Sequence, residues 1–448
     1  MRWRIPSLFP VLLTLGATAV PAPVPQTLRV GTSGDYAPFS ISGVEESGPT
    51  EGFSVAIARA YAEERGLTLE FVRFRWSDLI PALHAGRFDL AISGVTVRPE
   101  RSAAGRFTVP VVETGAVLLV RQPERWSKVE DLNRGDVRIG VNAGGHLERV
   151  AREWFPRAVL ISIRDNLAVR TALVEQNLHA AVTDTLEAAI WIRDTQGLAV
   201  LGPFTRDRKA ILVRSDRPAL AADLNDWLMA RERDGSLAAL RRRYLGEGAG
   251  RPVATALGSL LAAIDERLAL MPLVGVAKRR AGLPLEVPER EELVLDAVVA
   301  EVHAAAERAG VAPPPDVWVH RLFRAQMEAA KEVQWKAVKD RTYVGPEPLP
   351  DLNTSLRPGL IRIGERIAQL LLKLPRDLEA TRVRAAALEQ LRAPYLSERS
   401  ALAIADAIAL LSRSGGETEA AASPSPPAQP TSNGRTPDAL TRAGRPNE

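Results

Sequence analysis

Two hydrophobic patterns divide the chain. Between residues 27 and 245, short β-branched runs alternate with amphipathic stretches. The runs "TLRVGT", "LEFVRF", "FDLAISG", "GAVLLV", "VRIGV", "HAAVTD" and "AILVRS" have the length and make-up of strands. The stretches "FSVAIARAYAEERG", "SDLIPALHAG", "HLERVAREWF" and "NLAVRTALVEQN" repeat their apolar positions at helical spacing. Such alternation predicts an α/β fold with largely parallel sheets. The Gly-rich segment "LGEGAGRPVATA" interrupts it, and residues 246–256 read as a linker. From 257 to 412 long Ala/Leu/Glu/Arg stretches predict an all-α half. Residues 415–448, rich in Ser, Pro, Ala and Thr, have too few apolar side chains to fold and read as a disordered tail. A short linker between two complete apolar patterns predicts halves that fold independently.

Composition narrows the chemistry. The chain has no cysteine, which removes thiol nucleophiles, disulfides and thiolate-ligated metals. With five His, a zinc site is not expected. The formal charge is +4, with the basic residues dispersed, so nothing points to nucleic acid. Arg2 and Arg4 precede a short apolar run and the small residues Ala17 and Ala19. That is the layout of a secretory signal peptide over residues 1–19, with cleavage after Ala19 and export to the periplasm. Pro10 and the shortness of the run argue against a membrane anchor. No other stretch is apolar enough to span a bilayer, so no membrane partner is expected after cleavage.

In the first half the motifs fall in a specific order. "GTSGDYAPFS" is followed by "EGFSVAIARA", by "RWSDLIPALHAGRFDLAISGVTVRPERS", and later by "VNAGGHLERVA". "SGVTVRPER" puts small residues with open amides beside a guanidinium, which suits a bidentate carboxylate contact. "NAGGH" lets the backbone approach an anion at a helix start. Together these motifs resemble the two-lobed (type II) periplasmic solute-binding proteins for polar amino acids, over nearly all of residues 27–245. The resemblance implies two α/β lobes that close over a ligand. It gives the ligand's α-carboxylate to Arg101, with Asp35, Tyr36, Ser93, Thr96, Gly145 and His146 as further binding residues and Trp76 either stacking on the ligand or packing between the lobes.

The segment "AAVTDTLEAAI" adds a question. Asp184 at a strand end would hold a ligand's ammonium group, yet a second carboxylate, Glu187, follows one helical turn later. The T-D-x-x-E pattern resembles that of the exported cyclohexadienyl dehydratases, which share this fold. Their pattern implies Glu187 as the catalytic acid, with Asp184 and Lys209 of "DRKAILVRSD" at the substrate. Loss of a ring hydroxyl with carbon dioxide needs a proton donor, and a carboxyl group screened from water keeps its proton. One position departs: Ala116 in "ETGAVLLV" stands where the dehydratases carry Lys, as in plain binding proteins.

In the second half, "IDERLALMPLVGVAKRRAGLPLEVPEREE" spaces Arg267, Lys278 and Arg290 at intervals of eleven and twelve residues. Eleven residues are close to three helical turns, so Arg267 and Lys278 share a face if the helix continues past a kink at Pro272. The pattern F-x-x-Q-x-x-A-x-K-x-x-Q ending at Gln334 follows, then "LRPGLIRIGER" with Arg366. These intervals resemble the exported class of all-helical chorismate mutases. The resemblance implies that Arg267, Lys278, Arg290 and Arg366 grip a dianion and that Gln334 bonds its ether oxygen. Ala330 replaces a hydroxyl or amide found in relatives. Rearranging one molecule inside a dry cationic pocket needs no cofactor and no metal.

The sequence thus predicts a two-lobed α/β fold followed by an all-α mutase, acting on chorismate, prephenate and arogenate. The rival is an amino-acid binder fused to a mutase. Exported mutases of this class imply a homodimer.

Overall fold

The computed structural model describes residues 26–42, 50–121, 125–175, 177–343 and 345–414. The expected leader (1–19) and tail (415–448) lie outside the described residues. All described strands fall between Thr27 and Arg214, and from Ala256 onward the described elements are helical.

The α/β half has two five-stranded sheets. In the first lobe the order is Thr68–Arg73, Thr27–Thr32, Leu90–Ala91, Leu212–Arg214, Gly105–Phe107. In the second it is Val159–Ile163, Arg138–Asn142, Ala180–Asp184, Ala116–Arg121, Leu198–Leu201. Each sheet is parallel in its first three strands and antiparallel beyond them, so the expectation of largely parallel sheets holds for half of each. The chain crosses between lobes twice, and a strand arriving from the other lobe runs against its new neighbours. The crossings themselves, Val112–Thr114 and Asp207–Lys209, pair antiparallel and carry Lys209 to the cleft floor. The edge strands Val159–Ile163 and Leu198–Leu201 were not foreseen; both are mostly half-exposed and short, which blurs their alternation.

Helix Ala256–Ala269 runs into Met271–Arg280 with a kink at Leu270, which keeps a right-handed helical conformation. Pro272 has no amide hydrogen to continue the ladder, and the ladder resumes where Val274 N–H donates to Leu270 O at 3.1 Å. Arg267, Met271, Gly275 and Lys278 therefore share one stripe. That stripe meets helix Asp316–Lys339 closely: a Cβ on Gly275 would lie 3.1 Å from Gln334 O. Helices Pro288–Ala309, Arg357–Leu371, Ala380–Gln390 and Glu398–Ser414 complete the bundle.

The two halves are joined more closely than a tether requires. Val111 and Ile211 of the first belong to one apolar cluster with Leu260 and Leu261 of the second. Arg362 donates to Ala103 O at 2.8 Å, and Arg208 meets Asp265 at 2.5 Å. The expected linker is pinned at its end. Val253 N–H and Ala254 N–H donate to Glu232 Oε2, and Glu232 is itself buried against Arg241.

Candidate active sites

The first site lies between the lobes, in a cleft of about 340 Å³ lined by Tyr36, Trp76, Thr96, Arg101, His146 and Lys209, with backbone from Gly94 and Gly145 and side chains from Asn142, Leu147 and Asn166. Arg101 sits on the short helix Pro99–Ala104, where the sharp strand exit at Gly94 (φ +65°) turns the chain. A Cβ at Gly94 would meet the Phe39 ring at 2.7 Å, so the turn needs glycine. Arg101 donates to Thr96 O at 3.1 Å, and its guanidinium lies 5.6 Å from the centre of the Trp76 ring. Burial, then repulsion by Arg98, holds that guanidinium well below its usual pKa. A carboxylate from a ligand would supply the counter-charge it lacks.

Strand Ala180–Asp184 ends at the back of the cleft, and helix Thr185–Arg193 begins there. Asp184 caps this helix: Oδ1 accepts Leu186 N–H at 2.9 Å and Glu187 N–H at 3.0 Å. Its other oxygen accepts the Tyr36 hydroxyl and lies 3.5 Å from Lys209 Nζ. Lys209 also donates to Thr96 Oγ1 at 2.9 Å. Because Tyr36 and Thr96 belong to the first lobe and Asp184 to the second, this network bridges the lobes.

Glu187 is fully buried. Oε1 accepts Asn166 Nδ2 at 2.6 Å, and Oε2 accepts the Thr183 hydroxyl at 2.5 Å. Burial pushes its carboxyl well above the usual range; the two hydrogen bonds oppose this, and the charge of Asp184 adds to it. The group therefore holds its proton to a higher pH than an exposed glutamate does. It stands one hydrogen bond behind the cleft wall, through Asn166.

Other expected residues play supporting parts. Ser93 is buried, and its hydroxyl accepts Ser33 N–H at 3.1 Å, which braces the loop before Asp35 and Tyr36 instead of facing the cleft. Asp35 binds Asn166 across the lobes through its backbone oxygen at 3.3 Å, and it leaves one buried carboxylate oxygen without a partner. His146 Nε2 lies 3.0 Å from Asp207 Oδ1; burial lowers its pKa against the pull of that carboxylate. Asn166 and Asp207 were missed from sequence. Asn166 opens the stretch "NLAVRTALVEQN" and reads only as helix, and Asp207 precedes Lys209 by two residues on the same face of its strand.

The second site lies in the bundle. Arg267 has a Nη1 atom shut away from solvent with no hydrogen-bond partner, and burial pulls its pKa down to about 10. Gln334 is buried; Nε2 donates to Ala330 O at 3.2 Å and approaches Met271 Sδ at 3.6 Å, while Oε1 has no partner. Lys278 donates to Leu285 O at 2.8 Å. Arg290 lies in helix Pro288–Ala309, whose neighbour Glu291 meets Lys331 at 3.2 Å; the Arg290 side chain is outside the described residues. Arg366 goes elsewhere. It pairs with Glu266 and donates to Phe107 O, so it holds the two halves together. Glu266 and Arg267 are adjacent on their helix and so point to different faces, which separates Arg366 from the Arg267 stripe. Gln326, two turns before Gln334, is fully buried with no partner on its amide. No cluster of metal-ligating side chains occurs among the described residues. No described helix is long and apolar enough to cross a membrane.

Comparison with known proteins agrees with both halves. Residues 28–247 match the family model "Bacterial extracellular solute-binding proteins, family 3", and residues 258–335 match "Chorismate mutase type II". Cyclohexadienyl dehydratase of Pseudomonas aeruginosa is 31% identical over 47% of this chain and 79% of its own length. The L-cystine-binding protein of Escherichia coli (strain K12) is 28% identical over 49% of this chain and 83% of its own. An ancestral amino-acid-binding protein, a precursor of cyclohexadienyl dehydratase, has a solved structure 33% identical, covering 49% of this chain and 95% of its own at a TM-score of 0.46. The chain belongs to family 3 of the bacterial extracellular solute-binding proteins, in which cyclohexadienyl dehydratase is its relative, and it carries a type II chorismate mutase domain behind that part.

Proposed function

We propose that the chain is an exported, bifunctional enzyme that makes phenylpyruvate or phenylalanine in the periplasm. The helical half converts chorismate to prephenate, and the two-lobed half converts prephenate or arogenate by dehydration with decarboxylation. The observation that carries the dehydratase reading is Glu187, a carboxyl group wholly buried beside a charged Asp184 and a cationic cleft.

In the dehydration, Arg101 holds a substrate carboxylate through charge-assisted hydrogen bonds. Once substrate displaces the Asn166 amide from Oε1, Glu187 gives its proton to the ring hydroxyl, the C–O bond breaks, and water leaves. The ring carboxylate departs as carbon dioxide, and its bonding electrons complete the aromatic ring. Glu187 is left as a carboxylate and recovers a proton from solvent when the lobes open. A carboxyl group that burial makes slower to give up its proton suits this role.

In the rearrangement, Arg267, Lys278 and Arg290 grip the two carboxylates in a compact conformer. Positive charge and the Gln334 amide stabilise the ether oxygen as its bond to carbon lengthens. A millionfold acceleration corresponds to roughly 8 kcal/mol. Arg267, enclosed with an open donor and no carboxylate beside it, supports this reading.

A second reading has one observation behind it. Ala116 is buried and is the register partner of Asp184, at the position where dehydratases carry Lys. It favours an amino-acid-binding domain without dehydratase activity. Supplying prephenate to the purified protein decides between them. The enzyme produces phenylpyruvate, seen by its alkaline absorbance; a binder leaves prephenate intact and takes up a polar amino acid.

A further inference from the structure

The two cyclohexadienyl substrates differ at one centre: prephenate carries a ketone where arogenate carries an ammonium group. Both are otherwise the same ring with two carboxylates. A site distinguishes them by whether it offers an anion to the ammonium.

We propose that the cleft selects a dicarboxylate without an ammonium group, and therefore takes the keto acid, prephenate, ahead of the amino acid, arogenate. This rests on the dehydratase reading of the same site. Of the residues that line the cleft, Arg101 and Lys209 bear charge, and both are cations; no Asp or Glu is among them. The acids nearby stand behind the wall: Asp184 and Asp207 are occupied, and Asp35, whose Oδ1 has no partner among the described residues, does not line the cleft. Asp184, the strand-end carboxylate suited to an ammonium, has no exposed surface. One of its oxygens takes two backbone amides and the other takes the Tyr36 hydroxyl, with Lys209 beside it. Asp207 is spent on the Thr205 hydroxyl at 3.0 Å and on His146.

The energetics follow from that wall. An ammonium entering the cleft gives up its hydration and finds no carboxylate to replace it, while Lys209 repels it. A ketone gives up far less. The second carboxylate of either substrate gains from Lys209 after Arg101 has taken the first. In a site that captures amino acids the balance reverses, because an accessible carboxylate is there to meet the ammonium. Lys209 is thus the specificity-determining residue. It covers Asp184 and turns the cationic end of that ion pair toward the cleft. It is held there by Thr96 and Tyr36.

Two measurements test the proposal. Initial rates with each substrate give a ratio of kcat/KM, expected to favour prephenate by at least about tenfold, since specificity is a difference of transition-state affinities. Lys209→Met is expected to shrink that ratio, chiefly through a higher KM for prephenate. The comparison is made within one variant, so general damage to the fold cancels. Equal rates, or a preference for arogenate, overturn the proposal and leave the dehydratase reading standing. If neither substrate turns over, the dehydratase reading fails, and calorimetry on the wild-type chain still judges the cleft. Phenylpyruvate is expected to bind more tightly than L-phenylalanine, L-arginine or L-cystine. An amino acid that binds as tightly as the keto acid overturns the proposal.

Discussion

The interlobe cleft and the helical site, each proposed to take a dianion, are finished differently. In the cleft the two acids of the strand-to-helix turn are paired with their neighbours, although Asp35 Oδ1 and His146 Nδ1 have no partner among the described residues. Glu187 is held by Thr183 and Asn166, and Asp184 by Tyr36, Lys209 and two amides. In the helical site, Arg267 Nη1 and Gln334 Oε1 have no hydrogen-bond partner among the described residues. The difference tracks the chemistry. An acid that must keep its proton needs a dry enclosure and a neighbouring anion, whereas a rearrangement needs positive charge waiting for a ligand. Unsatisfied buried groups are costly, and a ligand is one way to satisfy Arg267 and Gln334.

The contrast breaks most sharply at Glu187. Glu187→Gln is expected to lower prephenate turnover by roughly 10²–10⁴-fold, the span of a general acid, while mutase activity is unchanged. Prephenate affinity should stay within about tenfold, because the amide keeps the shape and both hydrogen-bond positions. A Gln variant that keeps most of its turnover would reduce Glu187 to a first-turn helix residue. Next is Arg101→Ala, which removes a buried charge contact and should weaken prephenate binding by about 2–5 kcal/mol, read by calorimetry. Unchanged affinity would take Arg101 out of the site.

On the other side of the comparison, Lys278→Ala should cost about a hundredfold in chorismate turnover, since it removes charge near the breaking bond. Its far-UV circular dichroism should match the wild type. Full activity in this variant would mean that the Arg-Lys-Arg spacing had been misassigned.

Smaller, and sharper in sign, is the effect of pH. The folded pKa of Glu187 is raised well above 4.5, so the folded state holds a proton that the unfolded chain releases. Its contribution to stability is present below about pH 4.5 and is lost as pH rises through the folded value. Thermal unfolding of the wild type should therefore lose ground to Glu187→Gln as the solution is made alkaline. Dehydratase activity should fall over the same range. Mutase activity should persist further, because Arg267 gives up its charge only near pH 10. Parallel loss of both activities would contradict the separate tuning of the two sites.

Much of this was legible in the sequence because it rests on local pattern. Strand Ala180–Asp184 and helix Thr185–Arg193 follow from a β-branched run and a capping Asp. The Arg267–Lys278 face follows from helical geometry and survives the Pro272 kink. What was not legible depends on contacts far apart in the chain. Asn166 reaches Glu187 across 21 residues, and Arg366 reaches Glu266 across 100. Nothing local separates an Arg that grips substrate from one that clamps two halves together. The linker shows the same limit: "GEGAGRP" is flexible by composition, yet Glu232 fixes the amides of Val253 and Ala254 just beyond it. A fragment of residues 251–414 should on this account keep its mutase turnover and melt at a lower temperature than the whole chain, because Arg362, Arg366 and the apolar face around Leu260 lose their partners.

The central claim is that one chain carries two consecutive reactions on two separate sites. The direct measurement supplies chorismate alone to the purified protein and follows prephenate and phenylpyruvate with time. The account predicts that prephenate rises and then falls as phenylpyruvate accumulates, and that Glu187→Gln stops at prephenate. Wild-type protein that converts chorismate to prephenate and goes no further would contradict it.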